Sequence, residues 1–214
     1  MGEETRRRDE RRATSDGMRA VPVVLASSSP RRHQLLGLLG LSPEVVPSNV
    51  DETWRNGEAP AAHAERLARG KVGAVDRPGA AVIGADTIVV IDGAILGKPG
   101  DEAEAAAMLR RLSGREHEVF TAVAVSYGGR VASGVSRTNV RFRALDGAAI
   151  AEYVATGEPM DKAGAYGIQG FGAVMVEWIE GDFFTVMGLG LGLLVELLAG
   201  VGLRYRFGEV IPAC

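Results

Sequence analysis

Cysteine is almost absent from the 214 residues: the only one, Cys214, is the last. No disulfide can close within the chain and no cysteine-based zinc site can be built, which fits a reducing compartment and an expected cytoplasmic location. Histidine is nearly as scarce. His33, His63 and His117 lie 30 and 54 residues apart, so no helical pair exists and a histidine zinc site is not expected. The Gly-x-x-x-x-Gly-Lys phosphate loop and the Gly-x-Ser-x-Gly elbow are both missing. No charge sign dominates either. The 24 Lys+Arg and 27 Asp+Glu leave a net of −3, which gives no global pull toward nucleic acid. Any grip on phosphate has to come from local basic residues. No clean membrane span is visible. The best stretch, Phe183–Leu203, carries Glu196 and glycines at 188, 190, 192, 200 and 202, and reads as a buried or amphipathic helix. Residues 1–20 mix Arg6, Arg7, Arg8, Arg11 and Arg12 with acids and lack the apolar stretch of a secretory signal. They are expected to form a charged, flexible tail. Gly2 would suit myristoylation, but Arg6 stands where Ser or Thr is required.

What remains is ordinary globular material, 46% hydrophobic and 24% charged. The length suits one large domain, expected over residues 21–208 with a short tail at 209–214. Val21–Ala26 reads as a buried strand. Pro30 follows in the first turn of a helix that Ser29 caps, with Leu35, Leu36, Leu38 and Leu39 inward and Gly40 as its stop. Glu44–Pro47 reads as a short strand and Ala61–Ala74 as a helix. Ala80–Ile91 is the most apolar strand, and Asp92-Gly93 turns it into a hairpin with Ala94–Leu96. Asp101–Leu112 is a helix with a capping box at Asp101 and Glu104. His117–Tyr127 and Arg130–Arg143 pair across Gly128-Gly129. A helix over Asp146–Thr156, a strand over Ala173–Ile179 and a last helix over Val186–Leu198 complete the chain. Strands and helices interleave, but the hairpins break a pure βαβ pattern, so the class is α/β with a mixed sheet.

Several segments could carry chemistry. Ser27-Ser28-Ser29-Pro30-Arg31-Arg32 places hydroxyls and two arginines at a helix N-terminus, which suits either a phosphate cradle or a capped helix with solvated arginines. Asp86 interrupts an apolar strand beside Thr87. A carboxylate there must be paired, hydrogen-bonded or bound to a cation, and is either a general base or metal ligand or the partner of a buried cation. Lys98, fixed between Gly97 and Pro99, could place a charge on a phosphate, or be simply solvated. Asp51-Glu52 could add carboxylates to a divalent-cation site, or be plain surface. In the glycine-rich run Asp161–Gly170, Gln169 carries an amide able to donate to and accept from a base edge, unless the run is only a connector.

In series, Leu25-Ala26-Ser27-Ser28-Ser29-Pro30-Arg31-Arg32, Gly84-Ala85-Asp86-Thr87, Leu96-Gly97-Lys98-Pro99, Leu112-Ser113-Gly114-Arg115 with His117, Val119 and Thr121, and the Asp161–Gly170 run resemble the Maf family of nucleoside triphosphate pyrophosphatases. The resemblance spans about Val21 to Leu203. It implies a two-lobed α/β fold with an elongated mixed sheet flanked by helices and a central cleft, of the Maf/ITPase-like kind. It also implies cleavage of the α–β phosphate bond of non-standard or pyrimidine nucleotides with a divalent cation, Mg²⁺ or Mn²⁺. Lys162 to Gly170 looks like the branch that prefers dTTP and UTP. Carried over by position, Asp86 is the proton acceptor, and Arg31, Thr87 and Gln169 are the specificity positions. Ser29, Arg32, Lys71, Lys98 and Lys162 surround the triphosphate, and Glu52 shares the metal with Asp86. Two further readings stay open: a nucleotide-binding regulator of septum formation with little turnover, and a hydrolase of modified pyrimidines such as 5-methyl-UTP or pseudouridine triphosphate. The resemblance also implies a homodimer, while the charge balance and the lack of a clean span lead us to expect no nucleic acid or membrane partner. One departure stands near the end, where Gly190 replaces the family's helix-starting proline.

Overall fold

A computed structural model describes residues 19–213, so most of the expected N-terminal tail, residues 1–18, and Cys214 lie outside the described residues. Seven strands form one mixed sheet: β1 (Val23–Leu25), β2 (Glu44–Val45), β3 (Ala81–Ile91), β4 (Ala94–Leu96), β5 (Glu116–Tyr127), β6 (Arg130–Phe142) and β7 (Val176–Glu180). Their order is β2-β1-β3-β5-β6-β7, with β4 also pairing on β3. Six helices accompany them among the described residues: α1 (Pro30–Leu38), α2 (Pro60–Gly73), α3 (Glu102–Leu112), α4 (Gly147–Ala155), α5 (Phe183–Met187) and α6 (Leu191–Gly200). The fold class is α/β with an elongated mixed sheet flanked by helices.

The long strand β3 organises the rest. Its odd-numbered side chains face away from α2. Ala81, Ile83 and Ala85 join one core with α1 and α6, while Val89 and Ile91 join a second with α3 and α4. Val82, Ile88 and Val90 pack on the opposite face with Ala64, Ala68 and Val72 of α2, as the two-residue period of a strand requires. The edge of β3 is occupied unevenly. β1 pairs in parallel with Ala81–Ile83, and β4 pairs antiparallel with Val89–Ile91. Between them, among the described residues, no strand covers Gly84–Ile88 on that side. The Ile83 carbonyl accepts from the Ala26 N–H at 2.8 Å. By alternation, Ala85 and Thr87 therefore turn their own main-chain groups into this gap. β1 and β4 run toward the gap from opposite ends, so the loops that leave them, Ala26–Ser29 and Gly97–Lys98, converge there.

The structure corrects several expectations. The 209–214 tail contains a strand: β9 (Val210–Pro212) pairs with β8 (Leu203–Tyr205), and Val210 accepts from the Val21 N–H at 2.7 Å. Val210 and Ile211 are buried, which gives the segment a reason to stay. The strand expected from Ala173 begins only at Val176, because Gly170–Met175 winds as a 3-10 helix. The single last helix is two, α5 and α6. Asp182 caps α5 by accepting from the Phe184 and Thr185 N–H groups, and Gly188, at φ 108°, ends it. Leu38 is 68% exposed, since it sits about 200° around the helix from buried Leu36. Ser29 stands at the N-cap of α1 but its side chain makes no capping bond. Gly190 is the N-cap of α6 with φ −66°, already in the range proline adopts. The missing proline therefore acts through the unfolded chain rather than through helix geometry.

His117 gives the second core a pH-dependent member. Its Nε2 lies 2.8 Å from the Tyr166 hydroxyl, its Nδ1 has no hydrogen-bond partner among the described residues, and burial pushes its pKa down to about 4. The folded protein therefore binds this proton less readily than the unfolded chain does. The stability is fully present above pH 6.5 and is lost as pH falls from 6.5 toward 4, by roughly 3 kcal/mol in all. Urea titrations at pH 7 and pH 4 should show this loss in the wild type and a loss smaller by about that amount in His117→Gln.

Candidate active site

A cleft of about 720 Å³ opens where β3 is uncovered, and all ten residues that the family resemblance places in the site line it, whereas Asp51, offered with Glu52 as a cation ligand, does not. Ser29, Arg31 and Arg32 come from the start of α1, and Asp86 and Thr87 from the bare stretch of β3. Lys71 comes from α2, Glu52 and Lys98 from loops, and Lys162 and Gln169 from the glycine-rich run. Asp86 and Thr87 are neighbours on opposite faces of the strand, and only the gap lets both reach one cavity.

Asp86 faces α2. The Lys71 Nζ donates to its Oδ1 at 2.7 Å and also meets Glu52 Oε1 at 2.9 Å. Asp86 and Lys71 are 8% and 7% exposed, whereas the Glu52 side chain is 59% exposed. The partner demanded by a carboxylate in an apolar strand is thus a lysine fifteen residues earlier. Gly84 makes the pairing possible: a Cβ there would stand 2.9 Å from the Ala68 carbonyl oxygen, so only glycine lets α2 approach this closely. Burial disfavours charge on Glu52, but the bond to Lys71, with Lys98 and Arg32 nearby, holds its carboxyl below the usual range. Two carboxylates therefore converge on one cationic centre. Carboxylates are the side chains that hold a divalent ion, but among the described residues no group of three or more His, Cys, Asp or Glu side chains gathers here, and the centre between these two is the Lys71 ammonium.

Thr87 faces α1. Arg32 donates from Nε to the Gly188 carbonyl at 2.9 Å, from one terminal nitrogen to Ser27 Oγ at 3.1 Å and from the other to Thr87 Oγ1 at 3.3 Å. Burial pushes the guanidinium below its usual pKa, and Asp86 opposes that shift. Thr121 donates to the Thr185 carbonyl at 2.7 Å. Its single proton is thereby used, so the 2.9 Å bond between the two threonine hydroxyls is donated by Thr87. Thr87 thus presents a ligand with acceptor capacity only. Arg32 spends three of its five N–H donors on the protein and braces the floor of the cleft as much as it faces it.

Arg31 reaches across the cleft to the Asp161 carboxylate at 2.8 Å. Lys162 holds the other Asp161 oxygen at 2.7 Å and the Glu158 carbonyl at 2.5 Å. This strap joins α1 to the glycine-rich run that presents Gln169.

Residues to which the sequence assigned no individual role also contribute. Ser27 links Arg32 to the Ser29 N–H. Trp54 and His63 line the cleft with ring centroids 4.4 Å apart, and Glu58 holds His63 Nδ1 at 3.0 Å. An aromatic inside an otherwise polar loop was the available signal for Trp54. His63 was legible only as the first member of a stripe with Leu67 and Lys71 on one face of α2.

No helix among the described residues is long and apolar enough to cross a membrane. A family model described as Maf-like protein matches residues 22–201. A dTTP/UTP pyrophosphatase of Moorella thermoacetica is 53% identical over 184 residues, 84% of this chain and 95% of that one. One of Thermococcus onnurineus is 52% identical over 176 residues, 82% and 95% of the two chains. Among solved structures, the Staphylococcus aureus Ham1 protein aligns with a TM-score of 0.40 and 15% identity, over 86% of this chain and 92% of that one. The motif series, the cleft that gathers it and the match over residues 22–201 lead to one conclusion: the chain belongs to the Maf-like protein family.

Proposed function

We propose that the cleft hydrolyses dTTP and UTP, and pyrimidine relatives such as 5-methyl-UTP, to the monophosphate and pyrophosphate. The observation that carries this is the convergence of Asp86 and Glu52 on one cationic centre inside a cleft that Arg31, Lys98 and Lys162 also line. The names of the two relatives support the substrate class. Lys71 holds Asp86 Oδ1, which leaves Oδ2 to orient a water and take its proton as it attacks phosphorus. Asp86 and Glu52 would hold a divalent cation, Mg²⁺ or Mn²⁺, which when bound supplies charge neutralisation at the phosphate oxygens. Lys98, which lines the same cleft, offsets charge on the phosphates. Arg31 and Lys162 offset charge on the same side as the strap.

Base choice falls to Gln169. Its amide can donate to a carbonyl of uracil or thymine and accept from N3–H. Cytosine presents an N4 donor and an unprotonated N3, so the same amide would face mismatched partners. We take the protein to act in the cytoplasm as a homodimer, without nucleic acid or membrane partners.

Incubation with each nucleotide and Mg²⁺ or Mn²⁺ tests the reaction. Monophosphate plus pyrophosphate is the expected product pair, and stepwise release of orthophosphate would overturn the assignment. In Gln169→Ala, the ratio of kcat/KM for UTP over CTP should fall by at least about tenfold, the scale of one buried hydrogen bond left unmade. An unaltered ratio would assign base reading to the main chain of the loop.

A further inference from the structure

Gln169 occupies the N-cap position of the 3-10 helix Gly170–Met175, yet its side chain makes no capping bond. The first N–H groups of a helix need acceptors. Here they find them in a residue eleven positions upstream. Glu158 Oε2 accepts from the Phe171 N–H at 3.0 Å, and Oε1 accepts from the Gly172 N–H at 3.1 Å. Oε1 also accepts from the Tyr153 hydroxyl at 2.9 Å, and that hydroxyl in turn accepts from the Gly167 N–H at 3.2 Å. One Tyr–Glu pair therefore grips the main chain two residues before Gln169 and two and three residues after it.

The grip is close. Gly170 has φ +76°, and a Cβ on it would stand 2.6 Å from Glu158 Oε2. Burial disfavours charge on Glu158, but the two N–H groups and the tyrosine outweigh it and hold the carboxyl below its usual range. Burial pushes the Tyr153 hydroxyl up, so it stays protonated and can donate. Neither residue lines the cleft.

We propose that Glu158 and Tyr153 are positioning residues for base selection. They take over the capping of this helix, which frees the Gln169 amide for the nucleotide and fixes the main chain that aims it. This rests on the reading that the cleft selects uracil and thymine. A carboxylate is needed because both of its oxygens accept; an amide would turn an N–H₂ toward one of the donors.

Glu158→Gln tests this with two readouts. Hydrogen exchange of the segment 167–172 should quicken at least tenfold with α2 and β3 unchanged, and the UTP-over-CTP ratio of kcat/KM should fall at least fivefold. Tyr153→Phe should move both readouts in the same direction by less, and it carries the test if the first variant does not fold. Equal loss on UTP and CTP with an unchanged ratio would make the pair merely structural and overturn the proposal. Unchanged exchange at 167–172 would overturn it as well. A wild type indifferent between UTP and CTP would overturn the base-selection reading itself, a failure seen before any variant is made.

Discussion

Asp86→Asn lowers kcat for UTP at least about 10²-fold and leaves the protein folded. The amide is nearly isosteric, its oxygen can still accept from Lys71, and Glu52 remains on the ammonium at 2.9 Å. What it cannot do is take up a proton from water. The size of the effect follows from the missing base rather than from any collapse of the cleft. Steady-state turnover together with a thermal melt checks this, and near-wild-type kcat in the folded variant would remove Asp86 from the chemistry. The same measurement separates a hydrolase from a nucleotide-binding regulator of septation, which has no use for a buried carboxylate that accepts protons.

Lys71→Met is expected to destabilise the protein by about 3–5 kcal/mol, the cost of leaving a buried charge without its partner. Asp86 is 8% exposed, and Lys71 is its hydrogen-bond partner at 2.7 Å. Glu52 contributes little to this loss because its side chain is 59% exposed. The double variant Lys71→Met/Asp86→Asn should recover most of the stability, since the uncompensated charge goes with the carboxylate. Urea denaturation of the two single variants and the double closes the cycle. A loss below about 1 kcal/mol in the single variant, or no recovery in the double, would mean that water already satisfies the carboxylate.

These two residues also mark where sequence reading succeeded and where it stopped. Asp86 was legible because a carboxylate between Ile83 and Ile88 contradicts its surroundings. Its partner was not, because Lys71 looks like any basic residue near a helix end until Gly84 brings α2 down onto β3. The Asp92-Gly93 turn and the Asp101 cap were readable for a related reason, being rules acting over two to four residues. The capping box itself closes differently from the simple pattern, since Glu104 accepts from the Gly100 N–H rather than from Asp101. The strand expected over Ala173–Ile179 was misplaced at its start because the acceptor that winds Gly170–Met175 is Glu158, outside any local window. The split of the last helix was carried by Asp182 and Gly188, but the apolar run on either side masks a break in a periodicity reading. The strand at Val210–Pro212 is short, and its partners are Leu203–Tyr205 and Val21, at the far end of the chain.

The uncovered stretch of β3 has a consequence for how the molecule behaves in a crowd of its own kind. A bare strand edge on a protein surface is a template for another chain, and it invites aggregation. Here the bare groups belong to Gly84–Ile88, a run walled at one end by β1 and at the other by β4. An invading strand would need several residues in register, and both walls stop it before that length is reached. A small ligand meets no such obstacle in the cleft that Asp86, Thr87 and Ile88 line. The same break in the sheet that opens the cleft is thus too short to serve as a template for another strand.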